Sequence, residues 1–167
     1  EEDIVQVAKC KSLRELGVQG AGLSSRAIEA ILELPKLQSL DLEGSEFDDA
    51  MAERISASTL MTSLDVGATR ITGAGLKHLC KMTQLRSFDL WATTSIHEND
   101  LDLLAELPNL EYVSVGECSD VASFKAETLL PRLSAVSSLK RLWLDGIELD
   151  ASQRASLEGR YESVRIT

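Results

Sequence analysis

Histidine and cysteine are scarce in this chain, and their scarcity removes most routes to chemistry. The two histidines, His78 and His97, do not build a metal centre or a catalytic set. His78 and Cys80 lie two apart on a helical stretch, where their side chains diverge and cannot share an ion. His97 sits in a turn with Glu98 and Asp100 and reads as a solvated loop residue. No Ser/His/Asp set can be assigned, no cofactor is implied, and the chain is read as a non-enzyme. Three cysteines, an odd number, give no disulfide framework. They read as reduced thiols, so the expected setting is cytoplasmic. No apolar run approaches the roughly 20 residues of a membrane-spanning helix, and Glu1-Glu2-Asp3 lacks the basic and apolar regions of a signal peptide. Basic residues are outnumbered 17 to 27, for a net charge of −10. That balance opposes nucleic acid and anionic membranes, and it permits a protein partner with a basic surface.

What the chain does have is a repeated phrase. Leu13-x-x-Leu16-x-Val18 recurs from Leu37, Met61, Leu85, Leu110 and Leu139, and fades at Tyr161-x-x-Val164-x-Ile166. The anchors step by 24, 24, 24, 25, 29 and 22 residues. A fixed period in this range marks a solenoid, whose units bury apolar surface only against their neighbours. Positions 1, 4 and 6 of the phrase are apolar. Positions 4 and 6 share one strand face because strand side chains alternate. Position 11 (Leu23, Phe47, Ile71, then Ile96, Val121 and Leu149) is apolar too, once one inserted residue is allowed within Thr93–Ser95. Nine, six and three residues before each anchor lie further apolar columns, such as Ile28-Ile31-Leu34, Leu76-Leu79-Met82 and Leu130-Leu133-Val136. A step of three is helical, either α or 3₁₀. Cys10 falls in the last column and reads as a small core residue; Cys80 lies one place past a core column. Each unit is thus a strand, a turn and a helical return. Parallel strands need such crossovers, and helices are wider than strands, so the stack must curve with strands on the inside.

The phrase L-x-x-L-x-L with its downstream apolar residue resembles the leucine-rich repeat family over nearly the whole chain. Leu64-Asp-Val-Gly-Ala-Thr-Arg-Ile-Thr-Gly-Ala-Gly-Leu76 is similar to the ribonuclease-inhibitor-like and cysteine-containing branches, F-box-associated or bacterial. The resemblance implies an α/β leucine-rich repeat solenoid, with a curved parallel sheet on the concave face and helical segments on the convex face. Residues 1–167 form a single domain of about six to seven repeats. No polar cap is recognisable at either end, so the expectation is a portion of a longer protein. The family's asparagine at position 9 is replaced by Ala21, Ser45, Thr69, Thr93, Cys118 and Ile147. The hydroxyls among these are expected to bond backbone amides of the turn. Gly20-Ala-Gly-Leu23 and Gly73-Ala-Gly-Leu76 read as turn glycines, not phosphate loops. The fifth unit carries Phe124 to Pro131 before Leu133, and its helical return is expected to be lengthened or interrupted near Pro131.

Positions 3, 5 and 7 point out of the strand face. Position 5 brings Asp41, Asp65 and Asp89 side by side on consecutive strands about 5 Å apart, beside Ser39, Ser63 and Ser87. Like charges on adjacent strands are destabilising. The column is either an acidic stripe that accepts Lys or Arg from a partner, or a relic of duplication whose carboxylates bond the serines. Both tryptophans, Trp91 and Trp143, fall on outward positions, as does Tyr112, with Arg141 and Asp145 beside them. Exposed Trp and Tyr are enriched in interface hot spots; the alternative is that a neighbouring segment covers them. The expected function is a protein–protein interaction module that binds its partner on the concave face, in an adaptor, effector or scaffold role. The candidate residues are Asp41, Asp65, Asp89, Trp91, Tyr112, Arg141, Trp143 and Asp145. A second reading is self-association through the terminal strand, where Tyr161, Val164 and Ile166 lie on an open edge.

Overall fold

A computed structural model describes residues 2–7, 9–116 and 124–167. Cys118 and Val121, assigned above to positions 9 and 11 of the fifth unit, lie outside them. Seven strands form one parallel sheet in chain order: β1 (Glu15–Gly17), β2 (Ser39–Asp41), β3 (Ser63–Asp65), β4 (Ser87–Asp89), β5 (Tyr112–Gly116), β6 (Arg141–Asp145) and β7 (Ser163–Ile166). The returns between them are α2 (Ser25–Leu32), α3 (Asp49–Ile55), α4 (Gly73–Leu79), a 3₁₀ segment over Glu98–Glu106, α5 (Ala126–Ala135) and α6 (Ala151–Arg160); α1 (Glu2–Val7) precedes β1. The sheet is open, with β1 and β7 at its edges. This is the repeat architecture expected from the period.

Register is set residue by residue. Leu16, Leu40, Leu64, Phe88, Val113, Leu142 and Val164 stand opposite one another across the sheet. The five central members are buried, and only Leu16 and Val164, on the edge strands, are partly exposed. Phe47 at position 11 and Phe88 at position 4 are the largest fully buried side chains. The 3₁₀ segment keeps the step of three, burying Leu101 and Leu104, as a helix with three residues per turn must. In α5 the step changes: Leu129 and Leu133, four apart, are buried, and Leu130, expected in the core column, is only partly so. An α-helix of 3.6 residues per turn moves the inward stripe back by one. Pro131 lies inside α5 without interrupting it, and its side chain is exposed. The return is lengthened, as expected, but continuous.

Two further expectations change. Cys10 is exposed, because α1 ends at Val7 and the cysteine falls in the turn beyond. Cys80 is buried, and burial pushes its thiol up to about 12, so it is an inert packing residue. At the far edge, Tyr161 is buried and only Val164 and Ile166 are half-exposed.

The turn chemistry is also different from the expected one. Ser45 Oγ does accept from the Phe47 amide at 3.4 Å. Thr69 and Thr93 instead donate, to the carbonyls of Val66 (2.6 Å) and Leu90 (2.5 Å). They close the turn from its acceptor side. Position 8 is left-handed in five units: Gly20, Gly44 and Gly146 have φ of 62 to 65°, and Ala68 and Ala92 have φ of 52°.

Gly73 and Gly75 are not turn residues but open α4. A Cβ on Gly75 would lie 2.3 Å from Asp49 Oδ1, and one on Gly73 2.3 Å from Asp100 Oδ1. Their absence lets a carboxylate of a neighbouring unit reach the helix start. Asp49 Oδ1 accepts from the Thr72 amide (2.8 Å) and the Gly75 amide (3.0 Å), and Oδ2 accepts from the Thr72 hydroxyl (2.7 Å). Glu98 Oε1 does the same one step on, accepting from the Lys125 amide and the Thr128 hydroxyl, both at 2.8 Å.

Candidate functional site

Strand register brings all eight candidate residues onto one face of the sheet. Asp41, Asp65, Asp89, Ser114, Trp143 and Arg165 form the position-5 row, and Tyr112 pairs with Arg141 in the row below. Trp91 and Asp145 occupy position 7, just past β4 and at the end of β6.

The aspartates have a folding role that the serine reading missed. Asp41 Oδ1 accepts from the Glu43 amide (3.0 Å), Asp65 Oδ1 from the Gly67 amide (2.8 Å) and Asp89 Oδ1 from the Trp91 amide (2.9 Å). Each carboxylate folds back two residues to close an Asx turn at its strand end. This gives a structural reason for three in a row, and the column is therefore not evidence of binding by itself.

Its electrostatics are nonetheless unusual. Burial, then the neighbouring Asp89 charge, pushes Asp65 up to about 7, with Asp41 and Glu43 adding to the shift and the Gly67 amide opposing it. Asp89 is also raised, by burial first; the Trp91 amide and the adjacent Ser114 hydroxyl pull it back, and Asp41 adds to the rise. Ser114 points out of the sheet yet is fully buried, since it is flanked in register by Asp89 and Trp143. At neutral pH the stripe thus holds part of a proton, where three free carboxylates would hold none.

The aromatic residues are half-buried and tied to their surroundings. Trp91 Nε1 donates to Asp145 Oδ2 at 2.9 Å. The two residues flank β5, and the intervening position is Gly116. A Cβ there would lie 2.4 Å from the Asp145 carbonyl oxygen, so glycine is what allows β6 this close. Trp143 Nε1 donates to Thr167 Oγ1 at 3.1 Å, and the Thr167 hydroxyl donates to Asp145. The bonds from Thr167 and Trp91 hold the Asp145 carboxyl below the usual range. The Arg165 guanidinium lies 4.4 Å from the Trp143 ring centroid, and Arg141 lies 5.5 Å from that of Tyr112. Burial, then Asp89, raises the Tyr112 hydroxyl. Between the two indoles is a pocket of about 240 Å³, lined by Glu43, Asp65, Asp89, Trp91, Trp143 and Asp145. Glu43 is the lining residue that sequence reasoning missed as a site; its membership of the position-7 column was the available signal.

Asp41, Glu43 and Asp65 each offer an oxygen within 4.8 Å of the others, which a cation could bridge. Asp41 already accepts from Gln19 Nε2 (2.5 Å) as well as from the Glu43 amide, so its oxygens are engaged by the protein. Among the described residues this is the one such cluster, and His78 and His97 do not enter it. No helix among the described residues is long and apolar enough to cross a membrane.

Comparison with known proteins follows the geometry. Among solved structures, the chain is similar to internalin C2 of Listeria monocytogenes, at 20% identity and TM-score 0.63 over 99% of this chain and 84% of that one. The fold is a leucine-rich repeat. Similar also are the actin-binding site 2 of leiomodin-1 (17% identity, TM-score 0.60, 81% of this chain and 87% of that one) and the Caenorhabditis elegans tropomodulin C-terminal domain (16%, 0.58, 82% and 91%). No protein-family model and no curated protein matches the sequence. At these identities the leucine-rich repeat likeness is one of fold.

Proposed function

We propose that this leucine-rich repeat chain is a protein-binding module, without catalytic activity of its own, that takes its partner on the concave strand face. The observation that carries the reading is the pocket between Trp91 and Trp143, where two indoles and four carboxylates converge on an open surface. Large aromatic rings at the centre of a charged face are the usual anchors of an interface. Asp41, Asp65 and Asp89 form its acidic flank, and Tyr112, Arg141 and Asp145 complete it. The acidic net charge favours a basic partner surface through steering. The leiomodin neighbour is an actin-binding site, which supports a protein ligand in general. An adaptor, effector or scaffold role in a longer protein is the wider proposal.

The test blocks the strand face without touching the Asx turns. Ser63→Arg with Ser87→Arg adds two bulky side chains at half-exposed position-3 sites; Glu53→Arg with Lys77→Glu alters the exposed helical side. Partners are captured by crosslinking and quantified. The expected result is at least a tenfold loss for the serine pair and retention by the helical pair. Loss with the helical pair alone would overturn concave binding.

A further inference from the structure

The pocket's walls and floor are of different chemistry, and together they specify a ligand. Its walls are the indoles of Trp91 and Trp143; Glu43, Asp65, Asp89 and Asp145 supply the remaining lining. Indole faces attract cations through the ring quadrupole, and carboxylates attract them by charge. Among biological cations, guanidinium is planar, weakly hydrated, able to stack on a ring and able to present several donors to carboxylates at once. An ammonium group is compact and strongly hydrated, so it gains less from a stacking wall. The protein itself gives the precedent. Its own guanidinium groups, Arg165 on Trp143 and Arg141 on Tyr112, lie against the rings of this patch.

From this we infer that the pocket receives one arginine side chain of a partner protein, its guanidinium lying against an indole and bonding to the Asp65 and Asp89 carboxylates. The inference rests on the concave-face reading and narrows it to a ligand chemistry. One oxygen of each aspartate is held by a turn amide, so both carboxylates are fixed before the ligand arrives. The arriving positive charge relieves the repulsion between them. With Asp65 pushed up to about 7 by burial and by Asp89, Asp41 and Glu43, a bound cation expels its proton, so binding strengthens as pH rises from 6 to 8.

The experiment uses the two indole Nε1–H resonances as reporters in ¹⁵N-labelled protein. N-acetyl-arginine methylamide is titrated at low salt and pH 7.5, against N-acetyl-lysine methylamide and tetramethylammonium. The arginine probe is expected to move both resonances saturably and to bind at least fivefold more tightly than either comparator. Asp89→Asn, whose amide oxygen can still accept from the Trp91 amide, is expected to weaken it at least threefold. A non-saturable response to the arginine probe, equal or tighter binding of either comparator, or no change in the variant would overturn the inference. Such a failure alongside strand-face-dependent partner capture removes arginine only; failure of that capture removes the concave-face reading itself.

Discussion

Individual residues carry the charges and conformations that define this face. Asp65 has a folded-state pKa of about 7 against an ordinary 3.8. A raised carboxyl binds its proton more tightly in the folded state, so folding loses stability as pH climbs between those values. Asp65→Asn keeps an oxygen for the Gly67 amide and removes the charge. Thermal melts are expected to show the variant more stable than wild type at pH 8 by about 1 kcal/mol after allowance for solvent screening, with the gap closing toward pH 4. A second residue-scale prediction concerns Ala68, left-handed at an exposed position where other units have glycine. An L-residue in that region is disfavoured. Ala68→Gly is expected to stabilise the fold by about 0.5–1 kcal/mol, as read from chemical denaturation. Position 8 was visible in the sequence as Gly, Gly, Ala, Ala, Gly, but its φ was not. Nor were the Asx turns, since Asp-x-Gly and Asp-x-Glu do not state where the carboxylate folds.

Elements are joined by carboxylates as much as by apolar packing. Asp49 ties the start of α3 to that of α4 through three hydrogen bonds, and the gap beneath it is the missing side chain of Gly75. Gly75→Ala forces a methyl group into the carboxylate. It is expected to cost about 1–3 kcal/mol, although alanine is the better helix former. The urea midpoint is the measurement; a variant as stable as wild type would mean that Asp49 has another position open to it. Sequence reasoning took these glycines for a turn because the Gly-Ala-Gly spacing recurs from Gly20, where a turn is indeed what it makes. The same limit applies to α5, where a step of three was extrapolated into a segment that is α-helical. Periodicity identifies an inward column reliably only while the helix type stays constant.

Over the whole molecule, the repeat made strand order, register and the outward row of candidate residues legible, because each follows from a period and an alternation. What it did not disclose is how outward side chains engage one another, which depends on distances across strands. Stability should also be graded along the stack. The inward residues of β3 to β5 are fully covered, and those of β1 and β7 are partly open. Amide hydrogen exchange is expected to be slowest at Leu64, Phe88 and Val113 and faster at Leu16 and Val164. Uniform protection along the sheet would contradict this gradient.

Stacked repeats ordinarily touch only the unit before and the unit after. The Trp91–Asp145 hydrogen bond breaks that rule, spanning 54 residues and skipping one strand. It acts as a staple over β5, so β6 cannot peel away while the staple holds. The last three strands but one therefore open as a block, and a protein that should fray rung by rung is given a cooperative middle. If the pocket beside Trp91 takes a ligand, the same staple is where occupancy is felt by strands the ligand never touches.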